Sequence, residues 1–310
     1  MNLMNDEKHY VTFNNYLKNR FGHKVFRISL NANMTCPNRD GTKGFGGCIY
    51  CSEALSGDFA GRKELSFSDQ FREVLEIESK KWSDATYIAY LQAGSNTYDN
   101  VDNLEKNYNE ILSINDNIEI LSIATRPDCI NEDIVKLLST INIKKEVWVE
   151  LGLQSIHEKT NILINKCSTL NEFENAMYLL NKEGIKTIVH IINGLPNETS
   201  QMMIETVKYL SNFNLFGIKI HMLHILKNTP LEQYYKLNPF HILTLEEFVQ
   251  ITVEQLRYLN PNVVIHRLTG DGKKDDLIEP SWTLKKFVVL NEIDKYMRHY
   301  NYYQGDLWKK

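Results

Sequence analysis

Three cysteines close together constrain this chain more than any other feature. They follow a short apolar segment at residues 24–30 and stand at Cys36, Cys48 and Cys51, so that eleven residues separate the first two and two separate the last pair. A CxxC pair brings two thiolates close enough to hold one metal centre. Three protein thiolates leave one position of a four-coordinate centre open, which is typical of a metal that takes part in chemistry.

Three interpretations of these cysteines remain open from the spacing alone. They are an iron–sulfur cluster with one iron not held by protein, a zinc site completed by a histidine or another cysteine, and buried thiols without a metal. The chain has five cysteines, an odd number, and three of them are grouped, which indicates a reducing compartment. Neither an apolar targeting segment nor a long uncharged apolar run is present. We therefore expect a cytoplasmic protein without a membrane anchor.

The sequence after the first apolar segment alternates between short apolar and longer amphipathic segments. Six strands are predicted at residues 24–30, 85–91, 118–124, 146–151, 186–192 and 217–222. Amphipathic helices between them imply parallel strands with right-handed crossovers. Six units are too few for a closed eight-stranded barrel. We predict an α/β fold, a partial (β/α)6 TIM-like barrel with helical extensions at both ends.

The two ends of the chain fall outside this alternation. An amphipathic helix is predicted at residues 4–21, and a short strand at 263–267 precedes an aromatic-rich helix at 284–300. We see no linker or repeat between these segments and the barrel. The predicted organisation is an N-terminal helical extension at 1–23, the barrel at 24–230 and a C-terminal extension packed on it at 231–310.

The cysteine motif resembles that of the radical S-adenosylmethionine (SAM) superfamily. The usual spacing there is CxxxCxxC, and the wider first gap resembles the branch that contains the catalytic subunit of Elongator and the bacterial YhcC/YtqA-like group, over nearly the whole chain. The resemblance implies a 4Fe-4S cluster on Cys36, Cys48 and Cys51 whose fourth iron binds SAM. It also implies reductive cleavage of SAM to methionine and a 5′-deoxyadenosyl radical, with flavodoxin or ferredoxin as electron donor.

Polar residues follow the ends of the predicted strands, where the sites of parallel α/β folds lie. The resemblance implies that Ala93 and Gly94 receive the SAM amino group through their backbone and that Glu150, within VWVELGL, contacts the SAM ribose. A carboxylate in such an apolar strand is costly to bury without a partner. Gln154, in GLQS, resembles a motif of the coproporphyrinogen-oxidase-like branch. That branch also has a GLP turn beside adenine, represented here by Gly194, Leu195 and Pro196.

Other polar residues near the strand ends keep more than one interpretation. Arg126 can pair with the SAM carboxylate, with a substrate or with Asp128, and Arg267 likewise keeps a functional and a structural interpretation. Cys129 and Cys167 are expected to be structural, although either is a candidate second-site thiol. Three histidines are expected to be packed residues rather than ligands. They are His190, His221 and His224.

The sequence constrains the substrate least. Relatives of the Elongator type act on the wobble uridine of tRNA, and the C-terminal tail combines basic and aromatic residues such as Arg298, Tyr302 and Trp308, a mixture suited to RNA. The same residues suit a helix packed on the barrel, and a net charge of −4 indicates no overall basic surface. We keep tRNA modification as a hypothesis. The alternative is a zinc-binding structural or RNA-binding protein without radical chemistry.

Overall fold

A computed structural model describes residues 8–55, 57, 59–78, 85–270 and 272–309. Its helices are α1 Phe13–Phe21, α2 Phe67–Glu78, α3 Val101–Ser113, α4 Glu132–Asn142, α5 Glu158–Leu163, α6 Leu170–Lys182, α7 Ser200–Leu210, α8 Pro230–Leu237, α9 Leu245–Tyr258 and α10 Lys286–Tyr300. Its strands are β1 Val25–Leu30, β2 Thr86–Leu91, β3 Ile118–Thr125, β4 Glu146–Gln154, β5 Lys186–Asn193, β6 Gly217–Met222, β7 Ile225–Leu226, β8 Val264–Arg267 and β9 Leu277–Glu279. No helix within these ranges is long and apolar enough to cross a membrane.

Seven strands form one curled sheet in the order β1-β2-β3-β4-β5-β6-β8, and every neighbouring pair is parallel. Helices connect the successive strands and cover the outer face of the sheet, where the large apolar core lies. The predicted α/β partial TIM-like barrel is confirmed. Because all strands are parallel, their carboxyl ends meet at one rim.

The seventh strand was not expected in the barrel. β8, which falls in the predicted C-terminal extension, pairs with β6 through Gly217 and Val264. Without β8, β6 would be an edge strand with a row of unpaired backbone N–H and C=O groups. β8 pairs with these groups of β6. Its crossover is α9, which begins at a capping box formed by Thr244 and Glu247. The division of the chain at residues 23 and 230 stays a prediction, and the sheet continues past the second boundary.

The N-terminal helix is shorter than predicted. α1 begins at Phe13 instead of residue 4, because Thr12 is its N-cap and accepts a hydrogen bond from the backbone N–H of Asn15. Residues 4–7 of the predicted helix lie outside the described ranges, and residues 8–11 are not helical. Instead, the carbonyl oxygen of Val11 accepts a hydrogen bond from the backbone N–H of Ile265, in β8, at 2.8 Å.

A small apolar cluster closes the lower end of the barrel. Side chains of α1 pack there against the inward-facing residues Val25, Ile88, Ile120, Trp148 and Ile188 of β1 to β5. Side chains two residues apart on a strand share a face. The next inward-facing layer is therefore formed by Arg27, Tyr90, Ser122, Glu150 and His190. This layer is polar, and it forms the floor of the site.

A candidate active site inside the barrel

A cavity of about 410 Å³ lies inside the barrel at the carboxyl ends of the strands. It is lined by eight of the predicted site residues, Cys36, Cys48, Cys51, Ala93, Gly94, Arg126, Glu150 and Gln154. Four residues whose role the sequence left open also line it, His190, His221, His224 and Arg267. Within the described residues, the lining does not include Gly194, Leu195, Pro196, Cys129 or Cys167.

The cysteine loop is anchored by its own turns and by the end of β2. In the CxxC turn, the backbone N–H of Cys51 donates to the carbonyl oxygen of Cys48 at 3.0 Å. The backbone N–H of Ser95, just after β2, donates to Thr35 at 2.9 Å. From inside the loop, the amide nitrogen of Asn38 reaches the carbonyl oxygen of Asn165 at 2.5 Å. These contacts hold the cysteines at the rim of the barrel.

The environment of Cys48 favours its ionised form. A hydrogen bond with Cys51 lowers the pKa of Cys48 to about 6, helped by the charge of Arg126 and opposed by burial. A thiolate is the form that binds a metal. No group of three or more His, Cys, Asp or Glu side chains among the described residues is arranged to hold a single metal ion. A soft thiolate set at one cavity wall fits an iron–sulfur cluster, and zinc stays the alternative.

The turn after β2 requires glycine at one position. Ala93 and Gly94 have φ angles of 64° and 76°, in the left-handed region. A Cβ atom on Gly94 would collide with the carbonyl oxygen of Met34, in the segment that leads to the first cysteine. The backbone N–H of Gly94 donates to Leu55 at 3.1 Å. Glycine therefore lets the cysteine loop lie directly against this turn.

Glu150 lies at the centre of a buried charged cluster. Its Oε2 atom accepts hydrogen bonds from Lys219 Nζ and, at 2.7 Å, from His190 Nε2, while Oε1 accepts from Ser122 Oγ at 2.9 Å. A guanidinium nitrogen of Arg27 lies 4.0 Å from Oε1. Burial opposes ionisation, yet the charge of Lys219 and the His190 hydrogen bond hold the pKa of Glu150 well below its usual range. The carboxylate is thus ionised and surrounded by donors.

Lys219 is the functional candidate that the sequence analysis missed. It lies on β6 with 3% of its surface exposed, and its Nζ atom is 3.3 Å from the hydroxyl of Tyr90. Burial lowers the pKa of Lys219 to about 7, although Glu150 opposes this effect. Lysine is almost never fully buried unless it is paired. Its position in GIKIHM, between two isoleucines, was therefore as clear a signal as Glu150 in VWVELGL.

Arg126 has the partner that one interpretation predicted. Its Nε and a terminal nitrogen donate to the carboxylate of Asp128 at 2.9 and 3.0 Å, and the same terminal nitrogen donates to the carbonyl oxygen of Lys166 at 2.9 Å. The pairing with Asp128 is therefore confirmed. Because Arg126 also lines the cavity, contact with the SAM carboxylate stays a prediction.

Gln154 presents an unused acceptor to the site. It has a φ of 63°, lines the cavity, and its Oε1 atom is buried without a hydrogen-bond partner among the described residues. A buried polar atom of this kind is costly unless a ligand satisfies it.

The GLP turn lies behind the residues that line the cavity. A Cβ atom added to Gly194 would lie 3.0 Å from the side chain of Met222. Contact of Gly194, Leu195 and Pro196 with adenine stays a prediction.

The two remaining cysteines lie outside the lining. Cys129 is buried, and burial raises its pKa to about 12, which keeps it protonated. Cys167 is exposed, and its thiol donates to Asn165 Oδ1 at 3.3 Å. The buried position of Cys129 is compatible with the structural role expected for it, and the role of the exposed Cys167 stays a prediction.

Comparison with known proteins places the chain in a family. Residues 17–210 match the radical SAM superfamily, and residues 216–299 match the radical SAM C-terminal domain. The protein YtqA of Bacillus subtilis (strain 168) is 42% identical over 306 residues, 99% of this chain and 95% of that protein. The protein YhcC of Escherichia coli (strain K12) is 31% identical over 289 residues, 93% of this chain and 92% of that protein.

The fold of this chain is similar to that of a solved structure. Elp3 of Methanocaldococcus infernus matches with a TM-score of 0.67 and 17% identity, over 90% of this chain and 63% of that one. At this identity the likeness concerns the fold, which is that of the barrel described above. The match over residues 17–210 and the similarity to YtqA and YhcC show that this chain belongs to the radical SAM superfamily.

Proposed function

We propose that this chain is a radical SAM enzyme whose cavity holds a 4Fe-4S cluster on Cys36, Cys48 and Cys51, with SAM beside it. The observation that supports this most is that the three cysteines line one cavity together with five of the residues predicted to contact SAM, which are Ala93, Gly94, Arg126, Glu150 and Gln154. When bound, the cluster and SAM together would supply reductive cleavage of SAM to methionine and a 5′-deoxyadenosyl radical.

The side chains of the chain bind and orient the cofactors. The lowered pKa of Cys48 keeps that thiol ionised for iron at neutral pH. The unpartnered Oε1 of Gln154 is an acceptor for a hydroxyl or amino group of SAM. Below the cavity, the apolar cluster around Trp148 closes the barrel and keeps water out of the floor.

Glu150 can contact a ribose without losing its protein partners. An ionised carboxylate has about four acceptor positions. Three are used by Ser122, Lys219 and His190. Glu150 also lines the cavity, so a ribose hydroxyl placed there can donate to this carboxylate, and the ionised state of Glu150 strengthens such a bond. The predicted ribose contact is therefore compatible with the cluster.

The reductant and the substrate belong to the same proposal. One-electron reduction requires a donor protein such as flavodoxin or ferredoxin, and the cysteine loop reaches the surface at Phe45, which is 78% exposed.

The C-terminal helix bears on the proposed tRNA substrate. α10 packs Val289, Ile293 and Met297 inward and leaves Tyr300 partly exposed. Packing therefore accounts for one face of this helix. The ring of Tyr300 contacts those of Tyr296, His299 and Tyr302, and its exposed part is the surface that we propose for a base. A cytoplasmic location stays a prediction.

Anaerobic reconstitution with iron and sulfide, followed by dithionite reduction with and without SAM, tests the proposal. We expect about four irons per chain, an EPR signal that changes with SAM, and formation of 5′-deoxyadenosine. Cys48→Ala abolishes all three, whereas the matched control Cys167→Ala, an exposed cysteine outside the lining, retains them. Zinc without iron, or a cluster that does not respond to SAM, contradicts the proposal.

The tRNA hypothesis needs its own experiment. Modified nucleosides from a deletion strain are compared with those from the parent strain and from a strain that carries the Cys48→Ala variant. If the substrate is tRNA, one modified nucleoside is lost or replaced in both the deletion and the variant. An unchanged nucleoside profile contradicts the hypothesis while leaving the cofactor chemistry intact.

A further inference from the structure

Asn38, two residues after Cys36, is buried inside the cysteine loop. Asparagine side chains are mostly exposed in folded proteins, and a buried amide needs hydrogen-bond partners. A Cβ atom added to Gly44 would collide with Asn38 Oδ1, so the glycine leaves room for the amide. The contacts of Asn38 therefore indicate what this amide does in the loop.

The side-chain nitrogen of Asn38 contacts three acceptors. Nδ2 lies 2.5 Å from the carbonyl oxygen of Asn165, 3.4 Å from that of Lys166 and 3.7 Å from the Sγ atom of Cys48. An amide nitrogen has two hydrogens. One is taken by Asn165, and the other is shared between Lys166 and the sulfur. The opposite orientation of the amide would place Oδ1 against two carbonyl oxygens, which are acceptors as well. The amide therefore directs a donor at Cys48.

A second donor reaches the same sulfur. Tyr50 stands between the two cysteines of the CxxC turn and lines the cavity, and its hydroxyl forms a hydrogen bond with Cys48. The thiol of Cys51 is a further partner of Cys48. Iron binds thiolates, however, and a thiolate has no proton to donate. Asn38 and Tyr50 can still donate to Cys48 when the three thiols hold iron.

Donors to a sulfur ligand change how easily a cluster accepts an electron. One-electron reduction increases the negative charge on a cluster and on its sulfur ligands, so a hydrogen bond to the sulfur is stronger in the reduced state. Cys48 is buried, and there such an electrostatic difference is screened less than in water. Hydrogen bonds to the sulfurs are among the factors that set cluster potentials. Donors at Cys48 therefore favour the reduced state.

We propose that Asn38 and Tyr50 donate hydrogen bonds to Cys48 as a ligand of the cluster and thereby raise the reduction potential of the cluster. This inference rests on the proposed function, because it requires a 4Fe-4S cluster on the three cysteines. Both side chains act through Cys48 and are positioning residues. The carbonyl oxygen of Asn165 holds Nδ2 of Asn38, so the orientation of this donor is fixed by the fold.

A potentiometric titration of the reconstituted chain tests the inference. The fraction of reduced cluster is followed by EPR while the solution potential is lowered in steps, without SAM, so that no SAM is consumed during the titration. Asn38→Ala and Tyr50→Phe each remove one donor. At a fixed solution potential, each variant should lower the ratio of reduced to oxidised cluster roughly threefold to tenfold, which is a fall of about 30–60 mV in the midpoint potential.

The matched control is Asn165→Gly. The side-chain amide of Asn165 donates to the carbonyl oxygens of Phe45 and Gly47 at 3.1 and 2.8 Å, so it anchors the same loop through carbonyl groups instead of a sulfur. Its φ of 51° is one that glycine adopts readily. This variant loses two loop anchors and keeps both donors to Cys48. Its midpoint potential should equal that of the unmodified chain, even where its iron content falls.

The inference is overturned if either variant, once loaded with a cluster, keeps the midpoint potential of the unmodified chain, or if Asn165→Gly lowers that potential as far. If Asn38→Ala takes up no cluster, Tyr50→Phe still decides, since it removes only a hydroxyl. Failure of both variants to bind iron also overturns the inference, because the two side chains would then be needed for assembly of the cluster and not for its potential.

Failure of the proposed function is separately visible. Iron content and the effect of SAM on the EPR signal of the reduced cluster are measured on the unmodified chain. Zinc in place of iron, or a cluster indifferent to SAM, contradicts the radical SAM proposal. A SAM-responsive cluster whose potential does not depend on Asn38 or Tyr50 contradicts only this inference.

Discussion

The buried pair between Lys219 and Glu150 provides the sharpest test of the charged floor. Lys219→Met removes the cation while keeping much of the side-chain volume, and Glu150 still has Ser122, His190 and the more distant Arg27 among its described partners. Breaking a buried ion pair by removing one partner costs roughly 3–5 kcal/mol. Because three donors remain, we expect the lower end, a loss of about 3 kcal/mol in the free energy of unfolding.

Urea unfolding of the reconstituted chain at pH 6 measures this loss. At that pH Lys219, whose pKa is about 7, is largely protonated and the pair is intact. The control is Lys236→Met, which removes an exposed lysine paired with Glu232 one helical turn away, and no measurable loss is expected. The double variant Glu150→Gln with Lys219→Met should lose less than the two single variants added together, because the pair is removed as a unit.

A loss below about 1 kcal/mol for Lys219→Met, in the range of exposed pairs, would refute this reasoning. So would additive effects in the double variant, because they would mean that the two side chains do not interact. Equal losses for Lys219→Met and Lys236→Met would show that burial does not decide the strength of these pairs.

Three further predictions follow from the same structure. Stability of the unmodified chain, relative to Lys219→Met, should rise from pH 7 toward about pH 10.4, since the unfolded lysine binds a proton that the folded one lacks; a flat difference in urea midpoints contradicts this. Gly94→Ala should cost at least about 1–3 kcal/mol and lower the iron content, because its Cβ collides with Met34; normal iron loading contradicts it. Thr169→Ala should cost about 1 kcal/mol by removing the capping box with Glu172, measured by urea unfolding.

Local signals were sufficient for the elements and for the cysteine motif. The strand predicted at 217–222 is found at Gly217–Met222, and the one predicted at 146–151 begins at Glu146 and runs on to Gln154. Thr169 and Glu172 stand three residues apart, which is the spacing of a capping box, and the structure contains this capping box. Apolar segments and helix caps depend on residues within a few positions of each other, so the sequence carries this information directly.

The N-terminal helix shows where periodicity is misleading. Four large apolar residues recur at helical spacing, Tyr10, Phe13, Tyr16 and Leu17, and the pattern predicts a helix over residues 4–21. The backbone of Val11 instead pairs with Ile265, more than two hundred residues further along the chain, and Thr12 caps the helix that follows. A long-range pairing of this kind overrides a local pattern and leaves no signal near the residues that it affects.

The sequence by itself determined the elements, the three cysteines at the end of β1 and the family to which the chain belongs, because each depends on residue type and short spacing. Only the tertiary structure decided the charged floor. It joins Glu150 on β4 to Lys219 on β6, 69 residues away, and brings Arg27 and Arg267 together from opposite edges of the sheet. Sheet register and curvature set these contacts, and both result from packing of the whole barrel.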